Sequence, residues 1–399
     1  MGFSTVGGRL RGGGRGWTLL AVATGWVFVL GGRFLVPAVL PQVTESFTIS
    51  NLGAGIAISV IWVTYGLMQS PAGALVDRVG ERRLLVGSLL CSAGSVVVLG
   101  VAPVFLAFLG GCAAFGLATG LYGPARGTVL SRTFPGDDGA AIGLTLAAGS
   151  VGAAVLPFIA GALVGEVSWR YIVAALALPM LVAAVFAWRT VPGHETAGAA
   201  TPPPVDDLAG DVIRAASRRG VAIAVLGVAL MLFAFQGLSA FYVTYLARTM
   251  SQRLAAGLFA LLFLSGAAAQ LVGGAAADRY GERVVLTVTS TVGAVAVGVV
   301  PFVDGVVPLA VLSAVIGTRL AITPVTNAYV IAVLPDDVTG TAWGTLRTAL
   351  FLLSSTGSTV VGAMADRELF NEAFILLAIA TAVAAVLYAF LPSRAAASG

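Results

Sequence analysis

The chain has 399 residues, 58% of them hydrophobic and 10% charged, with a mean hydropathy of +0.98. Soluble domains carry about 25% charged residues, so this composition excludes a soluble enzyme and a nucleic-acid binder and points to the bilayer. Net charge is only +4, and the 22 cations are all arginine. The single histidine, His194, and two cysteines, Cys91 and Cys112, leave too little for a disulfide scaffold, a zinc site or a Ser-His-Asp triad. No metal, cofactor or catalytic residue is therefore expected.

A helix spans the hydrocarbon core with about 20 apolar residues. Twelve such stretches follow one another, at 17–41, 50–76, 84–103, 104–131, 138–165, 169–188, 219–247, 252–277, 284–303, 307–334, 339–364 and 369–392. Turn and cap residues separate most of them: Pro41 and Asn51, Gly80, Pro103, Pro135 with Asp137 and Asp138, Asp304, and Pro335 with Asp336 and Asp337. A β-barrel would show short alternating segments instead. The first stretch follows Arg9, Arg11 and Arg15 like a signal peptide, but it is too long and lacks a small-residue cleavage site, so it reads as a retained helix.

Five segments result: an N-terminal tail (1–16), a six-helix bundle (17–188), a polar linker (189–218), a second six-helix bundle (219–392) and a C-terminal tail (393–399). The linker holds Thr201 and Pro202–Pro204, a stiff spacer, then a short amphipathic segment at Val205–Arg219. His194 falls in it and reads as a solvated loop residue. Short-loop arginines set orientation. With the N-terminus inside, fourteen arginines lie on the inner side and four on the outer, which predicts a multi-pass cytoplasmic-membrane protein with both termini cytoplasmic.

The halves repeat one another. Gly73-Ala-Leu-Val-Asp77-Arg78-Val-Gly80-Glu81-Arg82 returns as Gly274-Ala-Ala-Ala-Asp278-Arg279-Tyr-Gly281-Glu282-Arg283, at an offset of 201 residues. Gln69 and Gln270, Gly139 and Gly340, and Gly143 and Gly344 keep the same offset. Parallel repeats of this kind imply a pseudo-twofold axis along the membrane normal. The doubled Gly-x-x-x-Asp-Arg-x-Gly-x-Arg loop resembles the signature of the major facilitator superfamily. Trp169-Arg170-Tyr171 and the small-residue run through Gly149, Gly152, Pro157 and Gly161 also resemble family features.

The resemblance implies an all-α integral membrane fold of twelve transmembrane helices in two six-helix bundles. It implies a solute carrier working by alternating access. It also implies that Asp77 faces the start of the eleventh stretch and Asp278 the start of the fifth. Physically, a carboxylate there caps a neighbouring helix N-terminus, Gly73 and Gly274 admit close helix approach, and Gly80 and Gly281 permit a tight turn. Gly73, Asp77, Arg78, Gly80, Arg82, Gly274, Asp278, Arg279, Gly281 and Arg283 are thus candidate gating residues. Arg126 joins them through an expected Asp77–Arg126 pair near the inner surface, one that holds the outward-open state and breaks when the inner side opens.

An ionisable residue inside the bilayer is expensive and points to function. Arg319 and Arg347 fall near the midplane, and Arg33 in the outer third, where snorkelling or Glu45 would also satisfy it. All eighteen acids lie in loops or at helix ends. Unpaired midplane guanidiniums suit bidentate binding of a carboxylate or phosphate, and they equally suit bracing against backbone carbonyls, Thr323, Thr326 or Asn327. Candidate substrate residues are Arg319, Arg347, Arg33, Asn327, Tyr65, Gln236 and Trp343, the last four residues from Arg347.

Without lysine no Walker A loop exists, so transport is expected to run on a gradient. The lack of intramembrane acid or histidine argues against simple proton symport and for exchange or uniport, with any coupling ion unspecified. The expected carrier is monomeric and moves a small, anionic molecule. The alternatives are efflux of amphipathic compounds and a transport-like sensor without flux, for which 189–218 and the tails offer no output domain.

Overall fold

The computed structural model describes residues 14–193, 219–333 and 339–392, with the side chains of Arg219, 331–333 and 339–345 outside that set. Twelve helices among these residues are long and apolar enough to span a membrane. In chain order they are α1 (Arg15–Ala38), α2 (Asn51–Val79), α3 (Glu81–Val101), α4 (Phe105–Thr133), α5 (Asp138–Leu163), α6 (Trp169–Thr190), α7 (Gly220–Leu246), α8 (Gln252–Tyr280), α9 (Glu282–Phe302), α10 (Val306–Val330), α11 (Leu346–Ala365) and α12 (Phe370–Ala389). Below, α1–α6 are the N-half and α7–α12 the C-half.

Local chemistry repeats with the sequence. The Ser50 hydroxyl accepts from the Gly53 N–H to cap α2, and the Ser251 hydroxyl accepts from the Leu254 N–H to cap α8. At the other ends, Gly80 (φ 84°, ψ 150°) and Gly281 (φ 85°, ψ 147°) adopt one conformation. Side chains rarely adopt it, so both turns demand glycine. The chain end preceding α1 and the two Asp-Arg loops share one face of the molecule, termed the loop face. The opposite face is the far face.

The halves meet along two antiparallel helix pairs. α2 packs on α11, where a Cβ at Gly55 would meet the Ser358 carbonyl and one at Gly362 the Asn51 carbonyl. Further along, a Cβ at Gly66 would meet the Phe351 side chain, and Thr348 Oγ1 donates to the Gly66 carbonyl at 3.1 Å. α8 packs on α5 with the equivalent register. A Cβ at Gly161 would touch Ala256, one at Gly257 would touch Phe158, and Ser150 Oγ donates to Gln270 Oε1 at 3.0 Å. Both strips run from the far face to mid-depth. Nearer the loop face, Gly73, Gly139, Gly143 and Gly274 have open space where a Cβ would stand.

The far face is therefore closed. Ser59 Oγ donates to the Ser355 carbonyl at 2.6 Å and meets the hydroxyls of Ser358 and Thr359. Gln42 and Gln252 bond side chain to side chain, and Gln252 Nε2 also donates to the Ala38 carbonyl. Beneath these contacts Phe34 packs on Phe263 (centroids 4.6 Å apart), Phe235 and Phe259, an aromatic plug drawn from both halves.

The sequence-derived spans agree with these helices to within a few residues, except that the eleventh begins in a part only partly described. Residues 194–218, which include His194 and most of the linker, and 334–338, which include Pro335, Asp336 and Asp337, lie outside the described residues, as does the Trp343 side chain.

Candidate functional site

Directly under the plug, arginines from three helices converge on one tyrosine. Arg33 of α1 is 2% exposed. Its guanidinium lies 4.0 Å from the Tyr65 ring centroid, with Trp62 at 5.3 Å and Trp26 at 5.4 Å. Arg126 of α4 covers the opposite end of this wall, 4.2 Å from the Trp26 centroid. Arg347 of α11 completes the group. Tyr65 interacts electrostatically with Arg33, Arg347 and Arg126, and hydrogen-bonds Arg33. Phe351, one helical turn beyond Arg347, stands edge-on to Tyr65 at 5.0 Å and stacks on Trp62 at 6.0 Å. The site thus takes side chains from both halves.

Helix direction explains the gathering. Side chains lean toward the N-terminus of their own helix. α4 runs from the far face to the loop face, so Arg126 leans back toward mid-depth. α1 runs the other way, so Arg33 leans down from the far side onto the same level. One expectation from linear position is corrected here: Arg33 neither snorkels outward nor meets Glu45. The Asp77–Arg126 pair is expected of the state with the inner face closed; in this structure Asp77 is exposed and Arg126 lies at mid-depth. Both guanidiniums stand over Trp26.

The wall is held rigidly. Trp26 stacks on Tyr122 (6.0 Å, 19° between planes), whose hydroxyl donates to the Val22 carbonyl at 2.9 Å. A Cβ at Gly149 would collide with the Trp26 indole, so α5 closes on α1 there only as glycine. Arg33 Nε and Nη2, and Arg126 Nε and Nη1, are buried without a hydrogen-bond partner. Among the described residues, no acid lies at this level. Three clustered cations, two of them with unused donors, and no described carboxylate at their level form a concentrated positive field that an anion would neutralise.

The remaining candidates lie elsewhere. Arg319, in the 3-10 turn Thr318–Ala321 that interrupts α10, packs inside the C-half and donates through Nη2 to Thr381 Oγ1 at 3.0 Å. Gln236 of α7 is buried and donates to Ser354 Oγ at 2.9 Å. Asn327 is partly buried on α10. At the loop face Asp77, Arg78, Asp278, Arg279 and Arg283 are exposed. Arg82 instead stacks over Trp188 at 4.5 Å, and Arg279 over Tyr280 at 5.3 Å. An ion pair joins Glu81, at the start of α3, to Arg132, near the end of α4.

Trp26, Phe351 and Arg126 as a member of the central group were not singled out from the sequence. The spacing of Trp26 and Arg33, two helical turns apart on α1, was the available signal.

A sequence profile of the Major Facilitator Superfamily matches residues 22–257 and 224–399. No curated protein sequence matches the chain. Among solved structures, a bacterial homolog of the human lysosomal transporter Spinster, inward-facing and unoccupied, is 15% identical, with a TM-score of 0.78 over 95% of this chain and 97% of that one. The same homolog, inward-facing and occupied, is 15% identical, with a TM-score of 0.76 over 94% and 96%. A mutant of the nucleoside transporter NupG is 14% identical, with a TM-score of 0.79 over 93% and 98%. These likenesses agree with the twelve-helix, two-bundle architecture. The chain belongs to the Major Facilitator Superfamily and is a multi-pass membrane transporter.

Proposed function

We propose that the protein carries a small organic anion across the cytoplasmic membrane by alternating access, exchanging one anion for another. The observation that supports this is the convergence of Arg33, Arg126 and Arg347 on Tyr65, with no acid among the described residues at that level. Arginine forks suit carboxylate and phosphate heads. The plug of Phe34, Phe235, Phe259 and Phe263 above them suits an apolar body on the same molecule. The closed far face and separated loop face correspond to one end-state of a rocking cycle. The arginine-rich loop face is the cytoplasmic one on this reading.

Exchange follows from charge. An empty carrier that closes at both faces must occlude three uncompensated cations, and burying one unpaired charge costs several kcal/mol. A bound anion offsets that cost, so the loaded carrier crosses and the empty one is held back. The test is counterflow in proteoliposomes of the purified protein. Uptake of a labelled aromatic carboxylate or organophosphate should be accelerated at least tenfold by unlabelled anion inside. Equal rates with and without internal anion would remove exchange, and saturable uptake of cations alone would remove the anionic reading.

A further inference from the structure

Arg319 stands apart from the central group and is unused by the proposed cycle. It is 4% exposed. The electrostatic neighbours of Arg33, Tyr65 and Arg126 include one another and Arg347 but not Arg319. Its surroundings come from the C-half. A Cβ at Gly293 of α9 would lie 2.5 Å from Arg319 Cγ and 2.6 Å from Cδ, so the arginine stem occupies a slot that only glycine leaves open. Beyond the stem, Nη2 reaches Thr381 of α12. The Thr381 hydroxyl spends its own hydrogen on the Leu377 carbonyl at 2.8 Å, so it can only accept from the arginine.

That leaves a permanent charge with a single neutral partner. Arginine does not deprotonate in proteins, and Nε and Nη1 of Arg319 are buried with no hydrogen-bond partner. Two further orphaned donors lie on α9. The hydroxyls of Thr287 and Ser290 are buried and unpartnered, and these residues recur with Gly293 at i, i+3 and i+6, on one helix face. Among the described residues, no acid lies at the depth of Arg319. Unpaired charge and unpaired hydroxyls on adjoining helices are what a buried anion site provides.

We propose that Arg319, with the hydroxyl-bearing face of α9, holds a monovalent inorganic anion of halide size as a resident counter-ion of the C-half. One positive charge in an otherwise apolar packing calls for one negative charge. The full burial of the residue makes a monatomic ion the simplest occupant to test. The ion would be structural, lying outside the solute path, and the proposal stands independently of what the central site carries.

The experiment is thermal unfolding of the purified transporter in gluconate buffer, titrated with chloride or bromide at constant ionic strength. Ligands that bind the native state alone raise its apparent stability. A saturable rise in the unfolding midpoint is expected for the wild type. The rise should persist in Arg33→Gln/Arg126→Gln and vanish in Arg319→Met. Should Arg319→Met fail to fold, Ser290→Ala and Thr287→Val replace it, and each should raise the half-saturating halide concentration at least threefold. No halide effect in the wild type, an effect retained in Arg319→Met, an effect lost with the central arginines instead, or unchanged affinity in both hydroxyl variants would each overturn the proposal.

Discussion

The carboxylate of Asp366, at the end of α11, caps the first turn of α2 in the opposite half: Oδ1 accepts from the Asn51 backbone N–H at 2.7 Å and Oδ2 from the Leu52 N–H at 2.9 Å. The Asn51 side-chain amide adds a third bond at 3.0 Å. A carboxylate at a helix N-terminus meets both free N–H groups and the positive end of the dipole. This clasp holds the far face shut, a counterpart on the opposite side of the membrane to the Asp-Arg loops.

Slight burial pushes the Asp366 carboxyl up, but hydrogen bonds from Leu52, Ser50 and Asn51 outweigh it and hold the group below its usual value of 3.8. The sign follows. A depressed carboxylate contributes its full stabilisation above the ordinary value and loses it as pH falls through the lowered one. The far-closed state should therefore be insensitive to this group between pH 8 and pH 5 and weaken only below about pH 4. Asp366→Asn should shift the equilibrium toward far-open two- to fivefold at pH 5 and above, matching about 0.5–1 kcal/mol for an exposed cap. Spin-label distances between the far ends of α1 and α11 would report it. An unchanged distribution would show that the clasp carries no weight.

Glycines separate fold from conformation. Gly152 faces the Val27 carbonyl within the N-half, whereas Gly55 and Gly362 face the Ser358 and Asn51 carbonyls across the halves. Overpacking costs about 1–3 kcal/mol. Gly152→Ala should lower the thermal midpoint by several degrees. Gly55→Ala should leave that midpoint nearly unchanged and increase solvent access at the far face. Gly73→Ala meets open space in this state and should show its cost only when the loop face closes.

Arg33→Gln, Arg126→Gln and Arg347→Gln should each weaken solute binding ten- to hundredfold, the range for losing a hydrogen bond to a charged group, about 1.5–3 kcal/mol. Lysine at position 33 should not restore binding, because it lacks the planar fork that stacks on Tyr65. Tyr65→Phe should cost less, about tenfold or below. Titration of a tight-binding anion against the purified variants measures all five. Retention of wild-type affinity in the three glutamine variants would place the solute elsewhere.

Asp77 and Asp278 are exposed in this far-closed structure. If they cap α11 and α5 when the loop face shuts, Asp77→Asn should favour the loop-open state about two- to fivefold and slow transport without lowering the thermal midpoint. Reactivity of a cysteine placed at the loop-face end of α5 would rise accordingly. No change in reactivity would leave the loop with an orienting role only.

Much of the architecture was legible because its signals are local. Apolar length marks spans, turn and cap residues mark their ends, and Gly80 and Gly281 repeat at the offset of the two halves. Lateral relations were not legible. The position of Arg126 along α4 indicates the loop face, but the lean and length of its side chain put the charge a turn or more deeper. Arg347 and Arg319 look alike as midplane arginines, yet one faces the central tyrosine and the other a glycine slot. Asp366 reads as an ordinary helix-end acid until α2 is placed against it.

The contact strip between α2 and α11 ends at Gly66 and Thr348, beside Tyr65 and Arg347. Two bodies that rock about such a strip move least at its end and most at their rims. Charges fixed there travel little along the membrane normal and sweep little of the transmembrane field. Voltage would then act on the cargo rather than on the protein. Swapping anions of equal charge should be indifferent to membrane potential, while an unequal swap should feel about 2.3 kcal/mol per net charge for each 100 mV.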